Sequence, residues 1–103
     1  MALTRSFKET VQARVREDAA FRAALLSQGV EALLNGELDI GKTILRDYIN
    51  ATVGFDRLGT ATDLPPKSLM RMFSPSGNPN ARNLLSVISY LQRSSGISLH
   101  VHP

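Results

Sequence analysis

A chain of 103 residues is long enough for one domain with a modest core, and its 43% hydrophobic content is ordinary for a globular protein. It has no cysteine, which excludes disulfides, thiolate metal sites and thiol catalysis. The net charge is +3 and unevenly placed: the first 53 residues carry seven basic and seven acidic side chains, the rest five and two. The whole surplus lies in the second half, a bias that suits attraction to phosphate. No stretch is long and apolar enough to span a membrane, and Met1-Ala2-Leu3-Thr4-Arg5 does not open a secretory signal, so a cytoplasmic location is expected.

The pattern predicts helices throughout, with one strand at the end. Ser6 with Glu9 three residues on forms a capping box for a first helix over about residues 7–16. Phe7, Val11, Arg14 and Val15 give that helix a thin stripe that needs a partner. Asp18 can cap a second helix, in which Phe21, Ala24, Leu25, Val30, Leu33 and Leu34 recur at helical spacing until Asn35-Gly36 stops it. Gly29 inside it marks a bend or close packing. Asp39 is expected to cap a third helix. Its apolar residues Ile40, Ile44, Leu45, Tyr48 and Ile49 cover a wide arc, so it should be buried on more than one side before Val53-Gly54 closes it.

The segment that follows is the most informative. Two short helices, over residues 55–62 and 66–73, are joined by the tight turn Asp63-Leu64-Pro65. Asp63 suits a turn because a short polar side chain tolerates positive φ, and Pro66 suits the first turn of a helix. Leu58 and Leu64 anchor the two sides of the turn. Leu69, Met72 and Phe73 share one face of the second short helix, and Lys67, Met70, Arg71 and Ser74 the other. Pro75, Gly77 and Pro79 stiffen a loop over 74–80. Asn80 then caps a longer helix with Leu84, Leu85, Val87, Ile88 and Leu91 towards the core, ended by Ser95-Gly96. Ile97, Leu99 and Val101 alternate with polar residues as one strand over 97–101, which would have to pair with a symmetry mate or a partner protein.

Two short helices and a tight turn are a device for placing the second helix in the DNA major groove. On that reading Arg71 is the leading base reader, since arginine binds guanine bidentately. Lys67 lies one turn before it, Ser68 can serve a base or a phosphate, and Met70 is placed to touch a thymine methyl. Asn78, Asn80 and Arg82 surround the start of the last helix, where free amides suit phosphate, and Arg57 can reach the backbone. Phe55 reads as a core residue. The only histidine pair, His100 and His102, makes a poor metal site at the end of the chain. No glycine-rich phosphate loop and no nucleophile–histidine–carboxylate pattern is present, so no catalytic residue, metal or cofactor is assigned.

The residues that support this reading also resemble a family. Ser74-Pro75-Ser76-Gly77-Asn78-Pro79, preceded by Lys67-Ser68-Leu69-Met70-Arg71-Met72-Phe73, is similar to a run found after the turn in small antidote proteins of bacterial addiction modules. Those proteins carry a lambda-repressor-like (Cro/repressor type) helix-turn-helix, and the resemblance covers residues 38–101. It implies an all-α, five-helix DNA-binding core over residues 37–103, with residues 1–36 as an N-terminal helical extension. It further implies a homodimer on a palindromic double-stranded operator, autorepression of the operon, and a cognate toxin as partner. Four positions depart from the family pattern. Gly59 stands where alanine is preferred, Asp63 where glycine is, and Phe55 and Pro66 where glutamines often begin the two helices. The missing glutamines shift base recognition onto Lys67, Ser68 and Arg71. The rival expectation is a protein-interaction module that neutralises a toxin through its N-terminal helices or the strand Ile97, Leu99, Val101, without specific DNA reading.

Overall fold

The computed structural model describes residues 2–96, with side chains from Glu9 onward, and helix is the one kind of regular structure among the described residues. Six helices follow in order: α1 Ala2–Glu17, α2 Ala19–Leu34, α3 Leu38–Ala51, α4 Gly54–Thr62, α5 Pro66–Met72 and α6 Ala81–Ser95. The strand expected over 97–101, and with it Ile97, Leu99 and Val101, lies outside the described residues. None of the described helices is long and apolar enough to cross a membrane.

Local chemistry accounts for most boundaries. Asp18 caps α2, its side chain accepting from the Phe21 N–H at 3.0 Å. That bond, more than the nearby Arg14, holds the Asp18 carboxyl below its usual value. Asn80 caps α6, accepting from the Asn83 N–H at 2.8 Å. Two expected caps are corrected. α1 already runs from Ala2, because Ala2 and Leu3 are strong helix formers, so Ser6 lies inside the helix. α3 starts one residue before Asp39, with Glu37 at the cap position and no side-chain cap bond. Asp39 sits instead in the first turn, where a negative charge suits the helix dipole.

The core is one cluster. Val15 and Leu26 from the first two helices are buried together with Leu45, Tyr48, Ile49, Leu58, Leu69, Phe73, Val87 and Leu91. α2 and α3 form the most extensively packed pair, an antiparallel hairpin. Their backbones approach closely: a β-carbon on Gly41 would lie 2.6 Å from the Leu33 side chain, and one on Gly29 would lie 3.0 Å from Leu45. Close packing, not a bend, is the reason for Gly29. Among the described residues, 37–96 contribute four helices and not the five expected of that core, and α2, from the segment expected to be an extension, packs on α3.

Four expected core residues are exposed instead: Ala24, Leu34, Ile40 and Leu85. Leu85 is 64% exposed because it precedes the buried Val87 by two residues, roughly 200° around the helix. Leu34 and Ile40 lie in the terminal turns on either side of the α2–α3 bend, beyond the cover of neighbouring helices. Phe55 is buried as expected, its ring 6.4 Å from that of Phe73 in a tilted pair.

Candidate nucleic-acid interface

The turn between α4 and α5 fixes the direction of α5. Asp63 is left-handed, with φ 57° and ψ 40°, and is the one non-glycine described residue at positive φ. Its N–H and that of Leu64 both donate to the Gly59 carbonyl. The chain folds so tightly over Gly59 that a β-carbon there would lie 2.7 Å from the Leu64 carbonyl oxygen and 3.2 Å from the Pro66 ring. Pro65 is extended, at φ −60° and ψ 138°, and Pro66 opens α5. The two prolines leave the turn few alternative paths.

Leu69, Met72 and Phe73 pin α5 to the core, and Leu69 is fully buried. Lys67, Ser68, Met70 and Arg71 are all exposed, Met70 at 48%. Arg57 on α4 and Asn78, Asn80 and Arg82 around the start of α6 are exposed as well. None of Arg57, Lys67, Arg71 and Arg82 is ion-paired among the described residues. From Leu64 onward the sequence contains no carboxylate side chain, so Lys67, Arg71 and Arg82 have no acidic neighbour in their own stretch of the chain. Asn80 uses its side-chain oxygen as the cap, which leaves its NH2 group available as a donor.

The loop between α5 and α6 is held from beneath by a residue that sequence reasoning passed over. Lys42, on α3, is 2% exposed. Its Nζ donates to the carbonyls of Ser74 at 2.9 Å, Pro75 at 3.3 Å and Gly77 at 2.8 Å. Gly77 lies against the end of α5, where a β-carbon would fall 1.9 Å from the Arg71 carbonyl oxygen and 2.8 Å from that of Met72. Ser74 closes the helix end, its N–H and hydroxyl donating to the Arg71 carbonyl at 3.1 and 2.7 Å. One signal in the sequence could have revealed Lys42: it lies at i, i+3 and i+7 with Leu45 and Ile49, a lysine on an otherwise apolar face.

The molecule also carries two shallow basic hollows. In one, of about 490 Å³, Arg82 and Arg93 of α6 line a groove with Thr62, Ser86, Ser89 and Tyr90. Arg93 was not among the expected contacts. The other, of about 390 Å³, holds Arg16 and Arg22 beside Thr52 and Ser95. Its arginines serve helix ends. Arg16 donates to the Ala51 carbonyl at 3.3 Å, and Arg22 donates to those of Val15 at 3.1 Å and Arg16 at 3.3 Å. The described residues contain no group of side chains suited to a metal ion. Comparison with known proteins returns no matching family model, no matching curated protein and no matching solved structure.

Proposed function

We propose that this protein is a sequence-specific DNA-binding transcriptional regulator, an antidote-type autorepressor that acts as a homodimer on a palindromic operator, with a toxin as partner. One observation carries the DNA reading. A short helix, α5, is fixed by a left-handed turn and a buried face, while its opposite face presents unpaired Lys67 and Arg71 with Ser68 and Met70. The α4–turn–α5 unit serves as the helix-turn-helix, with α5 in the major groove. Lys67, Ser68, Met70 and Arg71 read base edges. Arg57, Asn78, Asn80 and Arg82 hold phosphates and set the register. The resemblance of residues 38–101 to the antidote family supplies the regulatory context.

The test separates the two kinds of contact. Replacing Arg71 by Ala should relax sequence preference, with about 1–3 kcal/mol of discrimination lost at one base position. Replacing Arg82 by Ala should weaken all sequences alike and make the salt slope shallower by about one. If both variants bind the upstream DNA as the wild type does, the assignment of these residues is wrong.

A further inference from the structure

Lys42 is the only charged side chain buried among the described residues. An ammonium has three N–H donors, and three carbonyl oxygens stand within hydrogen-bond distance of it, from Ser74, Pro75 and Gly77. The carbonyls satisfy the donors but carry no full negative charge. The nearest carboxylate, Asp39, is 3.8 Å away with its side chain 89% exposed, so water screens it. A methionine would fill a similar volume without a buried charge, at the expense of the three bonds, and burying an ion whose counter-ion is solvent-screened is unfavourable. Packing alone therefore does not explain a lysine here.

The position of the loop does explain it. The carbonyls of Ser74, Pro75 and Gly77 follow directly on the C-terminus of α5 and lead into Asn78, Asn80 and the first amides of α6. Carbonyl oxygens facing outward beside those groups would repel a phosphate. We infer that Lys42 is the positioning residue of the phosphate-contacting loop. It draws the three carbonyls inward and leaves the donors of residues 78–82 to face the nucleic-acid backbone. Its charge, screened little by the protein around it, adds to the attraction at the same place. Lys42 touches no DNA itself and acts through the loop. This inference rests on the DNA-binding reading above.

The test uses the full chain with Lys42→Met, and with Lys42→Gln as a second variant that keeps a donor and removes the charge. Both are compared with wild type by band shift on upstream and unrelated duplexes across a salt series, and by amide exchange over residues 77–83. Whichever variant keeps wild-type helicity should bind every duplex about tenfold more weakly, with a salt slope that is shallower, by less than the change of about one that loss of a direct phosphate contact gives. Its preference between the two duplexes should be unchanged, and its loop amides should exchange faster. A merely structural lysine would lower the melting temperature without moving the salt slope of the folded protein. A folded variant with wild-type affinity and slope overturns the role of Lys42 alone. A wild-type chain that binds neither duplex removes the DNA reading, and the phosphate role of Lys42 with it.

Discussion

A methyl group added at Gly77 would compete for space with the Arg71 carbonyl oxygen, and one added at Gly59 would press on the Leu64 carbonyl. Backbone at Gly77, and backbone with the rigid Pro66 ring at Gly59, leave neither site a flexible neighbour to move. Gly77→Ala and Gly59→Ala are each expected to lower stability by about 1–3 kcal/mol in denaturant unfolding. Wild-type midpoints would show that the loop and turn yield more easily than their geometry indicates. Gly59 was legible in the sequence only as a departure from the alanine preferred by the family it resembles. The close pass of the Leu64 carbonyl, which no sequence pattern displays, supplies the reason. Tyr48 offers a second test at this scale. It is buried and its hydroxyl is hydrogen-bonded to that of Ser95. Burial raises the Tyr48 phenol above its ordinary value of 10.0, against the smaller opposing pulls of the Ser95 hydroxyl and the Arg22 charge. The protonated phenol thus favours folding below the unfolded pKa, and this contribution is lost as pH rises through the folded value. Wild-type stability should fall above pH 10 more steeply than that of Tyr48→Phe, whose ring cannot ionise. Parallel stability curves would mean that the phenol ionises without strain in the folded protein.

Helices divide into faces that periodicity could assign and ends that it could not. The α5 faces were readable because seven residues give little room for ambiguity: Leu69 and Met72 went inward and Lys67, Met70 and Arg71 outward, as the spacing required. α6 is less simple. Five apolar residues, Leu84, Leu85, Val87, Ile88 and Leu91, span more of the circumference than the neighbouring helices cover, and only tertiary packing decides that Leu85 is left out. Leu85→Ser should therefore change stability by less than about 0.5 kcal/mol in the monomer. Leu91→Ala, at a fully buried position, should cost about 2–5 kcal/mol. Thermal unfolding of the two variants decides between these faces, and a large loss for Leu85→Ser would place that side chain in an interface. Cap residues failed as signals where a helix had a better reason to start elsewhere. Ser6 was overtaken by the helix formers before it, and Asp39 by a start one residue earlier. Lys42 was missed because a lysine on a helix reads as solvated until the loop that buries it is seen.

At the scale of the molecule, the division of charge and the packing serve different ends. The core runs from Val15 to Leu91 and joins all six described helices to one another. The charge surplus lies wholly in the second half, where no carboxylate follows Asp63. That asymmetry was legible from the sequence, as were the two short helices and their turn. The loop clamp and the Arg82–Arg93 groove were not, because each joins residues that are remote or scattered along the chain. An operator-binding dimer predicts attraction to phosphate summed over two copies, together with base contacts that do not depend on salt. The most direct measurement is a band shift of the purified full chain on the DNA upstream of its own coding sequence, beside an unrelated duplex, across a salt series. Preferential binding to the upstream DNA, weakening steeply and linearly in the logarithm of salt concentration, is the expected result. Equal binding to both duplexes, or none, would contradict a sequence-specific regulator.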